Sequence, residues 1–174
     1  MAAEMALYLT QETLFWRLSG GGILTLGGYL MREHRLLALQ RELLGAAEQE
    51  QLATAVSQFN TALVERIVRF EHKAHMEMEA RLRQWGEYLN EAEWKNQPEH
   101  THYATAVETR EMMAVLIARL STPPYQLAAH LSPRLGQLDA QLRGQWVSGD
   151  FVWPSAWQPA YPQARYWWLY GRPR

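Results

Sequence analysis

An all-α fold, a helical bundle around one long amphipathic helix with an extended Pro/aromatic-rich C-terminal tail packed on it, is predicted by three observations. No glycine or proline occurs between Gly45 and Gly86, and no proline before Pro98 on that stretch. Across it, apolar residues recur in steps of three or four: Leu52, Val56, Phe59, Leu63, Ile67, Phe70, Ala74, Met78, Leu82, Trp85 and Leu89. That is the spacing of a single buried helix face. After Trp146 the composition then turns abruptly to tryptophan, tyrosine and proline.

In chain order, residues 10–18 read as a short helix with Thr10 as N-cap and Leu14, Phe15 and Leu18 as its apolar face. Ser19-Gly20-Gly21-Gly22 stops it, and residues 19–28, with Gly27-Gly28 as a second soft spot, read as a loop turning Ile23, Leu24 and Leu26 inward. Residues 29–47 follow as a helix with Leu36, Leu39 and Leu43 on one face, and Gly45 marks its break. The long helix is expected to run unbroken over residues 49–93. From Val56 to Met78 its apolar steps repeat every eleven residues, so its stripe should run straight or slightly right-handed. Asn96-Gln97-Pro98-Glu99 has the order of cap, proline and acid that opens a helix, here continuing to Leu120. Thr122-Pro123-Pro124 and Ser132-Pro133 each read as the start of a further short helix. The four prolines beyond Val147 bias their neighbours to extended backbone and exclude a long helix. The organisation is therefore a bundle over residues 1–146 and a tail over 147–174 lying on the same domain.

Composition narrows the function classes. With 48% apolar and 20% charged residues the chain is globular rather than disordered. A net charge of −1 gives no overall field for nucleic acid or an anionic membrane, so neither is an expected partner. The absence of cysteine removes disulfides, thiolate nucleophiles and thiolate metal sites, and fits a reducing compartment. Residues 1–5 lack the basic start and apolar run of a signal peptide. Residues 14–31, with Arg17 and five glycines, are too weakly apolar for a membrane span. A cytoplasmic location is the resulting expectation.

No residue pattern nominates a catalytic centre. The glycines of residues 20–28 match no phosphate-binding spacing, and no serine sits in a nucleophile elbow. A carboxylate-bridged metal pair needs two Glu-x-x-His motifs, whereas Glu99–His102 is alone, and His72 and His75 fall opposite the apolar stripe. No cofactor and no metal are therefore expected. Glu77 and Arg81 lie near the core face at a spacing of i,i+4, and Arg110 interrupts the stripe of the next helix. The structural reading pairs Glu77 with Arg81 or Arg110.

The function this supports is non-enzymatic assembly or protein interaction, with the chain itself a homodimer or higher homo-oligomer. Val64, Val68 and Leu82 on the long helix are the expected interface, since the companion helices are too short to cover every flank of it. Trp153, Trp157, Trp167 and Trp168 would serve a protein partner through the tail. The alternative is a metal- or small-ligand-binding bundle, with an enzyme included, using Glu71, Glu77, Glu108, Glu111 and the histidines.

Overall fold

A computed structural model describes Met5 and residues 7–18, 20–90 and 101–174. A short hairpin pairs β1 (Trp16–Arg17) with β2 (Ile23–Leu24). It leads into α1 (Leu26–Leu43), α2 (Ala46–Glu65), α3 (Ile67–Asn90), α4 (Thr101–Leu120) and α5 (Leu131–Arg143). Strand β3 (Trp146–Phe151) then pairs antiparallel with β4 (Tyr170–Pro173), with two 3-10 turns, Ser155–Ala160 and Trp167–Leu169, between them. The molecule is a mostly helical bundle with short strands. Helix α4 lies against both α1 and α3, and α5 packs on α3. No described helix is long and apolar enough to cross a membrane.

The helix expected over residues 49–93 is interrupted at Arg66, where φ is −133° and ψ is 37°. The Arg66 N–H turns back to the Leu63 carbonyl, 3.1 Å away, which closes α2 with a tightened turn. Val64, Ile67 and Val68 flank this point, and β-branched side chains lose rotamer freedom in a helix. The apolar stripe nevertheless survives the break. Phe59 and Leu63 before it, and Phe70, Ala74, Met78, Leu82, Trp85 and Leu89 after it, are all buried. Residues 91–93, and the helix start at Asn96–Glu99, lie outside the described residues.

Three further local expectations are corrected. Residues 10–18 form a turn and a strand, not a helix, because their backbone carbonyls are taken by distant or neighbouring side chains. Lys73 donates to the Gln11 and Thr13 carbonyls at 2.7 and 2.6 Å, and the Tyr8 hydroxyl donates to that of Leu14 at 2.8 Å. Gly27 and Gly28 belong to the first turn of α1 rather than to a loop, and Ile23 is exposed while Leu24 and Leu26 are buried. Residues 121–130 form turns and irregular backbone in place of the helix expected from Thr122-Pro123-Pro124, and the Pro123–Pro124 bond is cis. Each proline disfavours helical backbone at the residue before it, which here applies to both Thr122 and Pro123.

The C-terminal segment is not an extended tail but a folded-back ladder. Trp153, Tyr161, Tyr166, Trp168, Leu169 and Tyr170 are buried, most of them in edge-to-face ring contacts with one another. Closure requires Gly171, whose φ is +142° and where a Cβ would stand 2.1 Å from the Val147 carbonyl oxygen.

Candidate functional site

Two fully buried carboxylates and one exposed helical arm are the features of this bundle that ordinary core packing leaves to be explained.

The first carboxylate is Glu77, fully buried on α3. Its Oε1 accepts from Arg81 Nε at 2.9 Å, and its two oxygens share the Gly27 N–H at 3.2 and 3.1 Å. Arg81 also donates to the Thr25 hydroxyl at 3.2 Å, and that oxygen accepts the Gly28 N–H at 3.0 Å. Thr25 and Glu77 together therefore cap the start of α1, where the unpaired amides and the helix dipole favour an anion. Gly27 permits this because Glu77 and Met112 approach so closely that any Cβ would meet Oε1 at 2.8 Å and the Met112 Cβ at 2.9 Å. The amides that a phosphate would need are already occupied by the chain's own carboxylate. Lys73, also buried, reaches the loop carbonyls described above and lies 4.3 Å from the centre of the Tyr8 ring.

The second is Glu111 on α4, fully buried beneath the C-terminal segment. Neither of its oxygens makes a hydrogen bond of good geometry among the described residues, and neither does the facing Trp168 Nε1. Burial pushes this carboxyl up to about 8, against the weaker pull of Arg110, the Trp168 indole, Arg165 and Arg35 toward the anion. Arg110 is engaged elsewhere, donating to both Asp139 oxygens at 2.7 and 2.8 Å and stacking 3.8 Å from the Trp168 ring centre. Arg35 stacks 3.5 Å from the Trp157 ring and donates to the Tyr161 hydroxyl at 3.4 Å. Beside them, His34 meets the Ala160 carbonyl at 3.0 Å, and burial lowers its pKa.

Glu77 and Glu111 have no hydrogen-bonding partner in common, so they form two sites rather than one. Of the other acids read from the sequence, Glu71 accepts the Gln126 N–H at 2.7 Å and Glu108 is half-buried on α4. His72 and His102 are exposed, His75 accepts the Ala128 N–H at 3.3 Å, and His130 pairs with Glu79, which Arg134 also contacts. Glu99 lies outside the described residues. Among those described, no group of three His, Asp or Glu side chains could hold a metal ion.

The expected interface residues divide. Val64 and Val68 are 59% and 79% exposed, whereas Leu82, Trp153 and Trp168 are buried in the chain's own core, and Trp157 and Trp167 are half-buried. Leu82 continues the inward stripe of α3 and is closed to a second chain. Sequence reasoning missed the pairing of Arg110 with Asp139, the role of Lys73 and the stacking of Arg35. It also missed a signal for Glu111, which follows Tyr103 and Val107 in steps of four on the buried row of α4.

The third feature is a two-helix arm. From Leu36 to Gln58, across the end of α1 and the start of α2, Leu39 alone is buried among residues that are otherwise exposed or half-exposed. Leu36, Leu37 and Leu43 are 38%, 39% and 49% exposed. Leu52 and Val56 extend the stripe of Phe59 and Leu63 outward, but are only half-covered. At the arm's root, Tyr29 packs on Phe59 with ring centres 4.2 Å apart, and Arg119 ties Glu33 to Asn60 at 2.8 and 3.0 Å. At its tip the Gly45 N–H donates to Glu48 at 2.8 Å, and Gln49 donates to the Gln40 and Leu44 carbonyls. The arm is thus a formed hairpin of helices carrying half of an apolar seam. Compared with protein-family models, curated proteins and solved structures, this chain has no significant match in any of the three.

Proposed function

We propose that this chain is a self-associating helical module, and that two copies join arm to arm into an antiparallel four-helix bundle. The observation that carries this reading is the half-covered seam of Leu36, Leu43, Leu52 and Val56 around the single buried Leu39. Helices draw most of their stability from burying an apolar face, and two helices alone bury little of one. A second arm supplies the missing half. Along the arm α1 carries Arg41 beside Glu42, and α2 carries Glu48 and Glu50. A two-fold axis lays α1 of one copy over α2 of the other, so that each copy's seam is closed by the same residues of its partner.

Sedimentation equilibrium at micromolar concentration tests this directly. The expected mass is twice the 20.2 kDa of the chain. Leu36→Glu with Leu43→Glu should return it to monomer with its helical circular dichroism retained. Val64→Glu with Val68→Glu, at the α2–α3 junction, should leave the dimer intact. A wild-type monomer rejects the proposal, and dissociation by the junction pair alone moves the interface away from the arm.

A further inference from the structure

We propose that the C-terminal segment is a pH-operated latch: it closes over α4 only while Glu111 is uncharged, and loss of the Glu111 proton to solvent releases residues 146–174 from the bundle. The geometry supplies each part of this device. Glu111 is fully buried at the contact between α4 and the segment, where neither oxygen makes a hydrogen bond of good geometry among the described residues and the Trp168 indole is the one neighbouring donor that favours its anion by hydrogen bonding. A buried carboxylate without good hydrogen bonds is stable only as the neutral acid.

The charged groups that face it favour the anion but donate no hydrogen bond to it, and burial outweighs them. On its own helix Arg110 gives Nε and Nη2 to Asp139 of α5 and stacks on the Trp168 ring, with its Nη1 buried and unpaired among the described residues. On α1, Arg35 stacks on Trp157 and gives Nε to Tyr161, with its Nη2 buried and unpaired among the described residues, and burial keeps His34 neutral at physiological pH. On the segment, Arg165 lies at the surface, 5.3 Å from the Tyr166 ring centre. Tyr161 is pushed up to about 12 and Tyr166 is raised, each by burial first and with the Glu111 charge adding to it, so both phenols stay protonated. Glu111, whose carboxyl is raised to about 8, is then the group of this cluster whose charge changes near neutral pH.

The segment is the part able to yield. Besides its buried rings and the stacking of Arg35 and Arg110, it is tied to the helices by the Tyr103 hydroxyl on the Trp168 carbonyl at 2.6 Å, the Trp153 Nε1 on the Ala104 carbonyl at 2.8 Å, His34 on the Ala160 carbonyl and Arg35 on the Tyr161 hydroxyl. Its β3–β4 ladder carries its own hydrogen bonds, and β3 is exposed between its half-buried ends, so the unit can lift with its internal pairing intact. The alternative route for water to Glu111 would separate packed helices. The sign follows from linkage. The closed form binds one proton more than the open form between the ordinary carboxylate value and about 8. The closing equilibrium therefore weakens by up to tenfold per pH unit across that interval and levels off above it.

Hydrogen exchange of the full chain at pH 6 and pH 9, corrected for intrinsic rates, reads the latch. Protection across residues 147–174 should fall at least tenfold at pH 9 relative to that of α3, and Glu111→Gln should abolish this difference. Tryptophan emission of the unaltered chain, titrated from pH 5 to 9.5, should shift to the red as pH rises toward 8 and level off above it. The proposal is overturned by equal relative protection at the two pH values, by a flat emission titration, or by a Glu111→Gln variant that keeps the transition.

Discussion

Replacing Gly27 by alanine sets two effects of opposite sign against each other. In a helix interior alanine is preferred over glycine by about 1 kcal/mol, and at the second position of α1 the gain is no larger. Against it stands the contact at the start of α1. The new Cβ would lie 2.9 Å from the Met112 Cβ, 2.8 Å from Glu77 Oε1 and 3.2 Å from Leu116 Cδ1. The Met112 Cβ is fixed to the α4 backbone and cannot swing away. Glu77 could move, but only by loosening its bonds to Arg81 and to the Gly27 N–H, and hydrogen bonds to charged groups contribute about 1.5–3 kcal/mol each. Forced overpacking costs roughly 1–3 kcal/mol and one loosened Glu77 hydrogen bond adds about 1.5 kcal/mol, so after the propensity gain of about 1 kcal/mol the net loss is about 1.5–3.5 kcal/mol. For a chain of this length that lowers the melting temperature by roughly 3–9 °C. Gly136→Ala is the internal comparison, since it is exposed within α5 with nothing inside 4 Å of its Cβ. It should raise stability by about 0.5–1 kcal/mol. Thermal unfolding followed by circular dichroism on both variants decides the matter. If Gly27→Ala is as stable as the parent, the reasoning about the Glu77 cap is refuted.

Two further substitutions probe the same core. Glu77→Ala leaves Arg81 buried without its carboxylate and uncaps α1, and should cost about 3–5 kcal/mol in urea unfolding; a loss below 1 kcal/mol would mean the pair is dispensable. Leu82→Ala should cost about 2–5 kcal/mol because the site is 2% exposed, while Val68→Ala, at 79% exposure, should stay within about 0.5 kcal/mol; equal effects would contradict the inward assignment of the stripe.

How much of this was legible depends on the range of the information required. The stripe from Phe59 to Leu89 needs only a helical repeat, and each of its members apart from half-buried Ile67 is buried. Its interruption at Arg66 was not readable, because no glycine or proline marks it and a one-residue break leaves the three-four spacing unchanged. The Thr10 turn and the β1–β2 hairpin were misread for a different reason. Leu14, Phe15 and Leu18 do fall at helical spacing, but the hydrogen bonds that decide the backbone come from Lys73, some sixty positions away. The prolines correctly excluded a long helix beyond Val147, yet nothing local announced that Trp146 would pair with Pro173.

The two buried glutamates sharpen the distinction. Glu77 could be paired from the sequence because its cation, Arg81, stands one helical turn away on the same face, and only the Gly27 amides were hidden. Glu111 has an arginine next to it in the chain, but adjacent helical residues point about 100° apart, and Arg110 turns to Asp139 instead. What surrounds Glu111 is then chosen by the fold-back of the terminal segment, which brings Trp168 across fifty-seven positions. A carboxylate in a helix stripe is legible as a buried group. Whether it is a capped anion or a neutral acid is set by the segment that closes over it, and here that segment brings an indole and two phenols and leaves its cation, Arg165, at the surface.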